Sequence, residues 1–97
     1  MIFKIHKTSE GRKVVAICDN NLIGKTFKEG KLKLDLDSDF YKGKDMGEER
    51  LKREISDANI LNIVGEKSIK FVRELKIVNL DNVIKIKGIP HVQLILS

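Results

Sequence analysis

The chain has 97 residues, of which 41% are apolar and 34% are charged, and its formal net charge at neutral pH is +5. This length predicts a single domain over residues 1–97, and this composition excludes a disordered chain and a membrane-spanning protein. Cys18 is the one cysteine, so an internal disulfide cannot form, and the N-terminus lacks the layout of a signal peptide. We therefore expect a cytoplasmic protein.

Alternation of apolar and polar residues predicts two strands at the start of the chain. Residues 2–7 alternate, and residues 12–19 contain an apolar run that is typical of a central strand. The short turn between them predicts an antiparallel hairpin. Residues 22–27 are expected to form a loop or a single helical turn. Residues 31–36 alternate strictly, which predicts a third, half-exposed strand.

A first helix is predicted over residues 46–58, where Leu51 and Ile55 belong to a narrow apolar stripe. Asp45 and Glu48 are three residues apart, which is the spacing of a capping box. We therefore expect Asp45 to cap the start of this helix.

The stretch from Asn59 to Gly88 has the pattern of a β-α-β unit. An apolar run ends at Gly65, an amphipathic helix follows over residues 66–76, and an alternating strand covers residues 83–88. Four apolar residues fall within an arc of about 160° on the helical wheel, which predicts the buried face of the helix. These residues are Ile69, Phe71, Val72 and Leu75.

Residues 88–90, Gly-Ile-Pro, predict a turn into a last strand at residues 92–96, whose side chains are apolar on both faces. Taken together, the elements predict an α+β fold. We expect one small domain with a mixed sheet of about five strands and two helices on one face. The C-terminal part of this domain is the β-α-β unit.

Two short patterns resemble known functional motifs, but each lacks essential residues. Gly24-Lys25-Thr26 resembles the end of a phosphate-binding loop, but Asp19 stands where that loop needs its first glycine. Residues 35–39, with three aspartates, resemble the start of a calcium loop. Phe40 and Met46 stand where such a loop needs a glycine and a glutamate. We therefore expect neither a nucleotide-hydrolysing loop nor a calcium site.

Cys18, His6 and His91 are the candidates for a nucleophile and its base. Cys18 ends an apolar run, where a buried and unreactive thiol is the usual outcome. One cysteine and two histidines also fall short of a structural zinc site from those residue types alone. The sequence predicts no catalytic residues, no metal site and no cofactor, and a small enzyme is the least favoured class.

Three loops combine glycine with polar residues at the ends of predicted elements, where backbone can approach a ligand closely. They cover residues 24–28, 62–67 and 88–93. The N–H groups at the start of the helix after Gly65 are expected to favour an anion such as phosphate. The loops supply nine candidate binding residues: Gly24, Lys25, Lys28, Asn62, Gly65, Lys67, Gly88, His91 and Gln93.

The positive charge is spread along both halves of the chain, which is compatible with RNA or phosphate partners. Aromatic residues are few, and only Phe40 and Tyr41 could form an exposed pair for base stacking. Sequence-specific reading of bases is therefore not supported. We expect RNA as the partner, and the alternative is a protein-interaction subunit of a larger complex.

Five segments in the same order resemble a family of small archaeal proteins that is catalogued as a conserved domain of unknown function. The segments are residues 22–27, 34–36, 40–41, 62–66 and 88–93. The resemblance covers nearly the whole chain and implies an archaeal cytoplasmic protein, but it carries over no catalytic residues. It adds an expectation of a role in translation. The expected function is an RNA-binding or translation-associated accessory module, with RNA or ribosomal components as partners.

Overall fold

A five-stranded mixed sheet is the centre of the structure, a computed structural model that describes residues 1–96. Within those residues, neither helix is both long enough and apolar enough to cross a membrane. The described elements follow one another as β1 (Ile2–Lys7), β2 (Lys13–Cys18), β3 (Thr26–Glu29), β4 (Leu32–Asp35), α1 (Glu48–Ser56), β5 (Ile60–Val64), α2 (Glu66–Leu75), β6 (Ile84–Ile86) and β7 (Ile89–Ile95).

The strands of the main sheet lie in the order β1-β2-β5-β7-β6. The predicted antiparallel hairpin of β1 and β2 is confirmed, and β2 then pairs with β5 in parallel. All six residues of β2 are buried, because strands flank it on both sides and other elements cover both of its faces. The sequence therefore identified the central strand correctly.

The predicted β-α-β unit consists of β5, α2 and β6. Both strands pair antiparallel with β7, which lies between them, so β5 and β6 are parallel to each other and one strand apart. The unit is therefore present, with β7 inserted between its two strands.

Both helices pack on one side of the sheet, which we call the helix face. Alternate residues of β2 and β5 point to this face, including Ile17 and Ile63, and they meet Leu51 of α1 and Ile69 and Val72 of α2. These five side chains are almost completely buried. The predicted placement of the two helices on one face is thus confirmed.

The first helix starts two residues later than predicted, at Glu48. The Asp45 carboxylate accepts a hydrogen bond of 3.1 Å from the N–H of Gly47, which lies before the first helical turn. The predicted capping box does not form, because Asp45 is used to shape the approach to the helix and no side chain caps its start.

A hairpin of β3 and β4 covers part of the opposite side of the sheet, which we call the hairpin face. The prediction of a strand at residues 31–36 is confirmed by β4, but β4 pairs with β3 in a separate two-stranded sheet. The expectation of a loop or a single helical turn at residues 22–27 was wrong at its end, because Thr26 and Phe27 belong to β3, and the helical turn lies earlier, at Asn20–Leu22. Behind the hairpin lies a second core: Ala16, Cys18, Leu22, Leu34, Leu36, Tyr41, Val64 and Ile86.

The last strand begins at Ile89, earlier than predicted, and Pro90 lies inside it rather than in the turn before it. Its helix-face residue Val92 is buried. On the hairpin face, Gln93 and Ile95 are exposed because the hairpin does not reach them. Only one face of this part of β7 is therefore buried.

Candidate functional site

The three predicted binding loops are in large part strand, because residues 26–28 belong to β3, residues 62–64 to β5 and residues 89–93 to β7. The N–H of Gly65 donates to the carbonyl of Pro90 at 2.9 Å, which joins the second loop to the third. The N–H of Lys87 donates to the carboxylate of Glu29 at 2.6 Å, which holds the hairpin against the β6–β7 turn. These contacts join the second segment to the third and place the first near the third, although their side chains point in different directions.

The start of α2 is bound by the protein's own carboxylate. Asp19, directly after β2, accepts hydrogen bonds from the N–H of Lys67 at 3.1 Å and from the N–H of Ser68 at 2.8 Å. The Ser68 hydroxyl donates to the same carboxylate at 2.7 Å. Asp19 and Ser68 are both buried. Two of the helix N–H groups that the sequence suggested for a phosphate, those of Lys67 and Ser68, are thus already paired within the protein.

Gly65 is explained by this capping carboxylate. Its φ is +105°, and a Cβ atom there would lie 2.3 Å from Cγ of Asp19. Only a residue without a side chain fits so close an approach in this conformation. The sequence patterns did not predict the capping role of Asp19 or the involvement of Ser68. The signal for Asp19 was its position as a carboxylate directly after a buried strand.

Asn62, His91 and Gln93 lie on the hairpin face of neighbouring strands. Asn62 is directly opposite Gln93. His91, two residues before Gln93 in β7, is opposite Val64. Within residues 1–96, Nε2 of His91 is buried without a hydrogen-bond partner. Burial lowers the pKa of His91, so the imidazole is neutral at neutral pH. The structure thus brings three of the nine candidates together.

His6 and Cys18, the other candidates for a nucleophile and its base, have structural roles. The ring of His6 stacks on Phe40 with the centroids 4.6 Å apart, and its Nε2 lies 2.9 Å from the Phe40 carbonyl oxygen. Cys18 is completely buried, and burial raises the pKa of its thiol to about 12. Its thiol is therefore protonated at neutral pH and has no access to solvent, as expected for a buried cysteine.

Phe40 and Tyr41 do not form an exposed stacking platform. Phe40 lies against His6, and Tyr41 meets the edge of Phe40 with the ring centroids 5.0 Å apart. Tyr41 belongs to the second core, where burial raises the pKa of its hydroxyl to about 12. The pair that the sequence suggested for base stacking is therefore largely used inside the protein.

Lysines cover the outer side of the hairpin. Lys28 of β3 lies directly opposite Lys33 of β4, and their neighbours Phe27 and Leu34 point inward. Lys31 is exposed at the hairpin turn. We call Lys28, Lys31 and Lys33 the lysine surface. In residues 1–96 none of the three makes an ion pair, which leaves their charges available to an anion.

The remaining candidates have separate positions. The N–H of Gly24 donates to the carbonyl of Leu36 at 2.8 Å, so this glycine holds the hairpin base, and Lys25 follows it with an exposed side chain. Gly88 is exposed in the β6–β7 turn with a φ of +78°. Lys67 is exposed on α2, away from the hairpin. Lys25 and Lys28 are therefore close along the hairpin, whereas Lys67 belongs to the other side of the sheet.

An open groove of about 690 Å³ lies on the helix side of the molecule, between the ends of both helices and the end of β7. Its apolar lining includes Leu75, Ile77, Val78 and Leu96, and the side chain of Ile77 is 55% exposed. Among residues 1–96, no three His, Cys, Asp or Glu residues come together to hold a metal ion. The groove thus offers apolar contacts, with Lys52 and Asp57 also in its lining.

The family described as "Protein of unknown function (DUF424)" matches residues 6–96. A crystal structure of an uncharacterized conserved protein from Methanopyrus kandleri is similar, with 28% sequence identity and a TM-score of 0.78. The similarity covers 96% of this chain and 88% of that chain. No curated protein matches the chain. The α+β fold and the resemblance to an archaeal family are therefore confirmed.

Proposed function

Since this chain belongs to the family of unknown function DUF424, we propose from its own surface that it is a cytoplasmic RNA-binding accessory module without catalysis of its own. The proposed partners are RNA or ribosomal components. The association with translation rests on the family resemblance of the sequence, whereas RNA binding rests on the charges of the hairpin.

The observation that carries the proposal is the lysine surface. Lys28 and Lys33 are cross-strand neighbours, and like charges directly opposite each other destabilise a sheet. Glu29 is bound to the backbone N–H of Lys87, and Asp35 lies on the same outer side as the two lysines but forms no ion pair with either within residues 1–96. A phosphate placed over the hairpin would offset this repulsion and form charge-assisted hydrogen bonds. The arrangement is typical of a surface that binds a polyanion.

The proposed contacts are to phosphates and not to bases. Lysine is a compact point charge without the planar fork that reads base edges in pairs. Phe27 points into the second core, and Phe40 and Tyr41 are engaged with each other and with His6. Binding through phosphates fixes little sequence preference. The ligand should therefore be recognised by charge and shape.

The direct test replaces Lys28, Lys31 and Lys33 with glutamine and measures binding to RNA over a range of salt concentrations. Each lost phosphate contact should flatten the slope of log K against log salt by about 0.7 for a single strand. We expect weaker binding at low salt and a clearly shallower slope. The free energy of unfolding should be unchanged or slightly raised, because the three side chains are exposed and the repulsion between Lys28 and Lys33 is removed.

The matched control replaces Lys67, Lys70 and Lys76 of the α2 segment with glutamine. This variant has the same net charge as the hairpin variant but leaves the lysine surface intact. It should bind RNA with nearly the wild-type slope. Equal effects of the two variants would mean that only the overall charge matters, and wild-type binding by the hairpin variant would reject the proposed surface.

A protein-interaction subunit is the second candidate, and the apolar groove on the helix side favours it. Exposed apolar surface of this kind commonly marks a site for a protein partner. Purification from a native host, with and without nuclease, separates the two functions. A protein that remains bound after nuclease treatment and is lost in Ile77→Lys would support this candidate over RNA binding.

A further inference from the structure

One edge of the main sheet is left open along β7. β6 pairs with β7 only from Ile89 to His91, and no strand lies beyond it in the described structure. The N–H of Leu96 donates to the carbonyl of Asn59, and the carbonyl of Pro90 accepts from the N–H of Gly65. Even-numbered residues of this strand therefore direct their backbone groups toward β5. The backbone groups of Gln93 and Ile95 therefore point outward.

These outward groups have no hydrogen-bond partner in the part of the chain that the structure describes. Among residues 1–96, the backbone N–H and C=O groups of Gln93 and Ile95 form no hydrogen bond. A row of unpaired groups on an exposed strand is a template for pairing with another strand. The edge thus offers two donors and two acceptors in line.

The opposite edge of the sheet is protected in ways that β7 is not. Phe3 of β1 exchanges two hydrogen bonds with Lys44, at 3.0 and 3.1 Å, so a passing segment covers this edge. β1 also carries the charged residues Lys4 and Lys7. From residue 89 to residue 96 the chain has no Asp, Glu, Lys or Arg. Charge and a paired neighbouring segment are common protections of sheet edges, and within residues 1–96 the backbone edge at Gln93 and Ile95 has neither.

Exposed apolar side chains are concentrated around the open edge. Ile95 is 71% exposed and Leu96 is 38% exposed at the end of β7. Ile77, which is 55% exposed, shares the groove with Leu96, and Ile84, which is 47% exposed, is paired opposite His91. Four of the six exposed large hydrophobic residues in the described chain therefore lie in this region. An apolar patch beside an unpaired strand indicates an interface.

We propose that the β7 edge pairs antiparallel with the β7 edge of a second copy of this chain. The outward backbone groups fix the register, because Gln93 and Ile95 must exchange hydrogen bonds with Ile95 and Gln93 of the other copy. Leu94 then lies on the two-fold axis, opposite Leu94 of the other copy. On the helix face, Val92 lies opposite Leu96 of the other copy.

The edge is complementary to itself in charge as well as in shape. Each chain has a net charge of +5, but the paired strands bring no charged residue against another. A charged foreign strand would place its charges against Leu94 and Ile95. Only one short strand from each copy is involved, so we expect the reversible association that is typical of interfaces burying less than about 1,200 Å² in total. This interface excludes the lysine surface and is independent of RNA binding.

Sedimentation over a range of concentrations tests the proposal. The 11.1 kDa chain should approach twice its mass as concentration rises. Ile95→Lys should remain a monomer, because its exposed position lets the variant fold and the new charge lies within the interface. Leu32→Lys is the matched control, since Leu32 is 48% exposed on the hairpin, and it should dimerise like the wild type. A monomeric wild type at high concentration would overturn the proposal.

Cross-linking tests the register. Leu94→Cys should form an intermolecular disulfide on oxidation, because a non-hydrogen-bonded antiparallel pair brings the two Cα atoms to about 4.5 Å. Ile95→Cys should form it far more slowly, since residue 95 lies opposite residue 93. Cys18 does not compete because it is completely buried. A dimer that persists in Ile95→Lys and lacks the Leu94→Cys cross-link would use another face and overturn the proposal.

Discussion

Asp19 joins two elements that are far apart in the sequence. Its carboxylate binds Lys67 and Ser68 at the start of α2, and its own N–H donates to Val64 at the end of β5. Burial of a carboxylate is unfavourable unless hydrogen bonds replace its water, and Asp19 accepts three of them. The positive end of the helix dipole adds to their effect. Asp19 therefore acts as a tertiary helix cap.

A double-mutant cycle on Asp19 and Gly65 is the first prediction. Asp19→Ala should lower the free energy of unfolding by about 2 kcal/mol, because it removes the cap and leaves the helix N–H groups unpaired. Gly65→Ala should cost more in the wild type, where its Cβ meets Asp19, than in the Asp19→Ala background, where only the strain of a positive φ remains. Urea unfolding of all four proteins measures the coupling. Additive costs would show that the contact is not the reason for the glycine.

Lys13 is a second buried charge, and it is paired across the helix face. Its Nζ atom donates to Glu54 of α1 at 2.7 Å and also to Asp57. Burial alone lowers the pKa of Lys13, but hydrogen bonds to the two carboxylates and their charges outweigh it and raise the pKa. Hydrogen bonds from Lys13 and Arg50 lower the pKa of Glu54. The ion pair of Lys13 and Glu54 therefore makes the free energy of unfolding depend on pH.

The second prediction is the pH dependence of this pair. A carboxyl whose pKa is lower in the folded state contributes stability above its unfolded pKa, about 4.3 for glutamate, and loses it as pH falls through the folded value. Glu54→Gln should destabilise the protein by about 1–2 kcal/mol at neutral pH and flatten the loss of stability in acid. Glu49→Gln on the exposed side of the same helix is the control and should change neither. An unchanged acid profile in Glu54→Gln would contradict this assignment.

At the scale of elements, α2 shows how far a helical wheel predicts burial. Its four apolar residues all contribute to the helix-face core, but only Ile69 and Val72 are fully buried. Phe71 is half-buried at the margin, against the expectation of a core position. The wheel gives the direction of a side chain but not the extent of the sheet below it. The buried face was therefore predicted correctly and the depth of Phe71 was not.

The third prediction compares two residues of α2. Ile69→Ala should lower the free energy of unfolding by about 2–5 kcal/mol, because it leaves a cavity under the helix. Phe71→Ala should cost less than the 3–5 kcal/mol that is typical of a fully buried phenylalanine, at about 2 kcal/mol. Thermal and urea unfolding measure both. If Phe71→Ala is the more damaging change, the ring is buried more deeply than the structure indicates.

Local patterns account for most of the elements that the sequence predicted. Alternation identified β1 and β4, and the continuous apolar run identified β2, because these signals depend on neighbouring residues. β3 was not identified because Phe27 is its only inward apolar side chain. Local patterns marked Asp19 as a carboxylate directly after a buried strand, but they could not identify its partners, which are 48 and 49 residues away. The opposition of Lys28 and Lys33 likewise needed the register of the hairpin.

At the scale of the whole molecule, two cores share the central strands of one sheet. The helix face of β2 and β5 packs on both helices, whereas their hairpin face packs on the β3–β4 hairpin and on Leu36 and Tyr41. A two-stranded hairpin is marginally stable alone, so contacts with the sheet must hold it in place. Its detachment would expose the second core while leaving the first intact. Such local opening is expected to require less free energy than global unfolding.

Cys18 reports this opening, and the last prediction uses it. Its thiol lies under the hairpin with no exposure and a pKa raised to about 12, so alkylation at neutral pH requires the hairpin to move. Leu36→Ala should weaken only the second core and, at a cost of about 2 kcal/mol or more, speed labelling about 30-fold or more. Ile69→Ala should lower global stability similarly but leave labelling in native conditions nearly unchanged. Equal acceleration by both changes would instead mean that the two cores open together, because β2 and β5 would then transmit the loss of either core to the whole sheet.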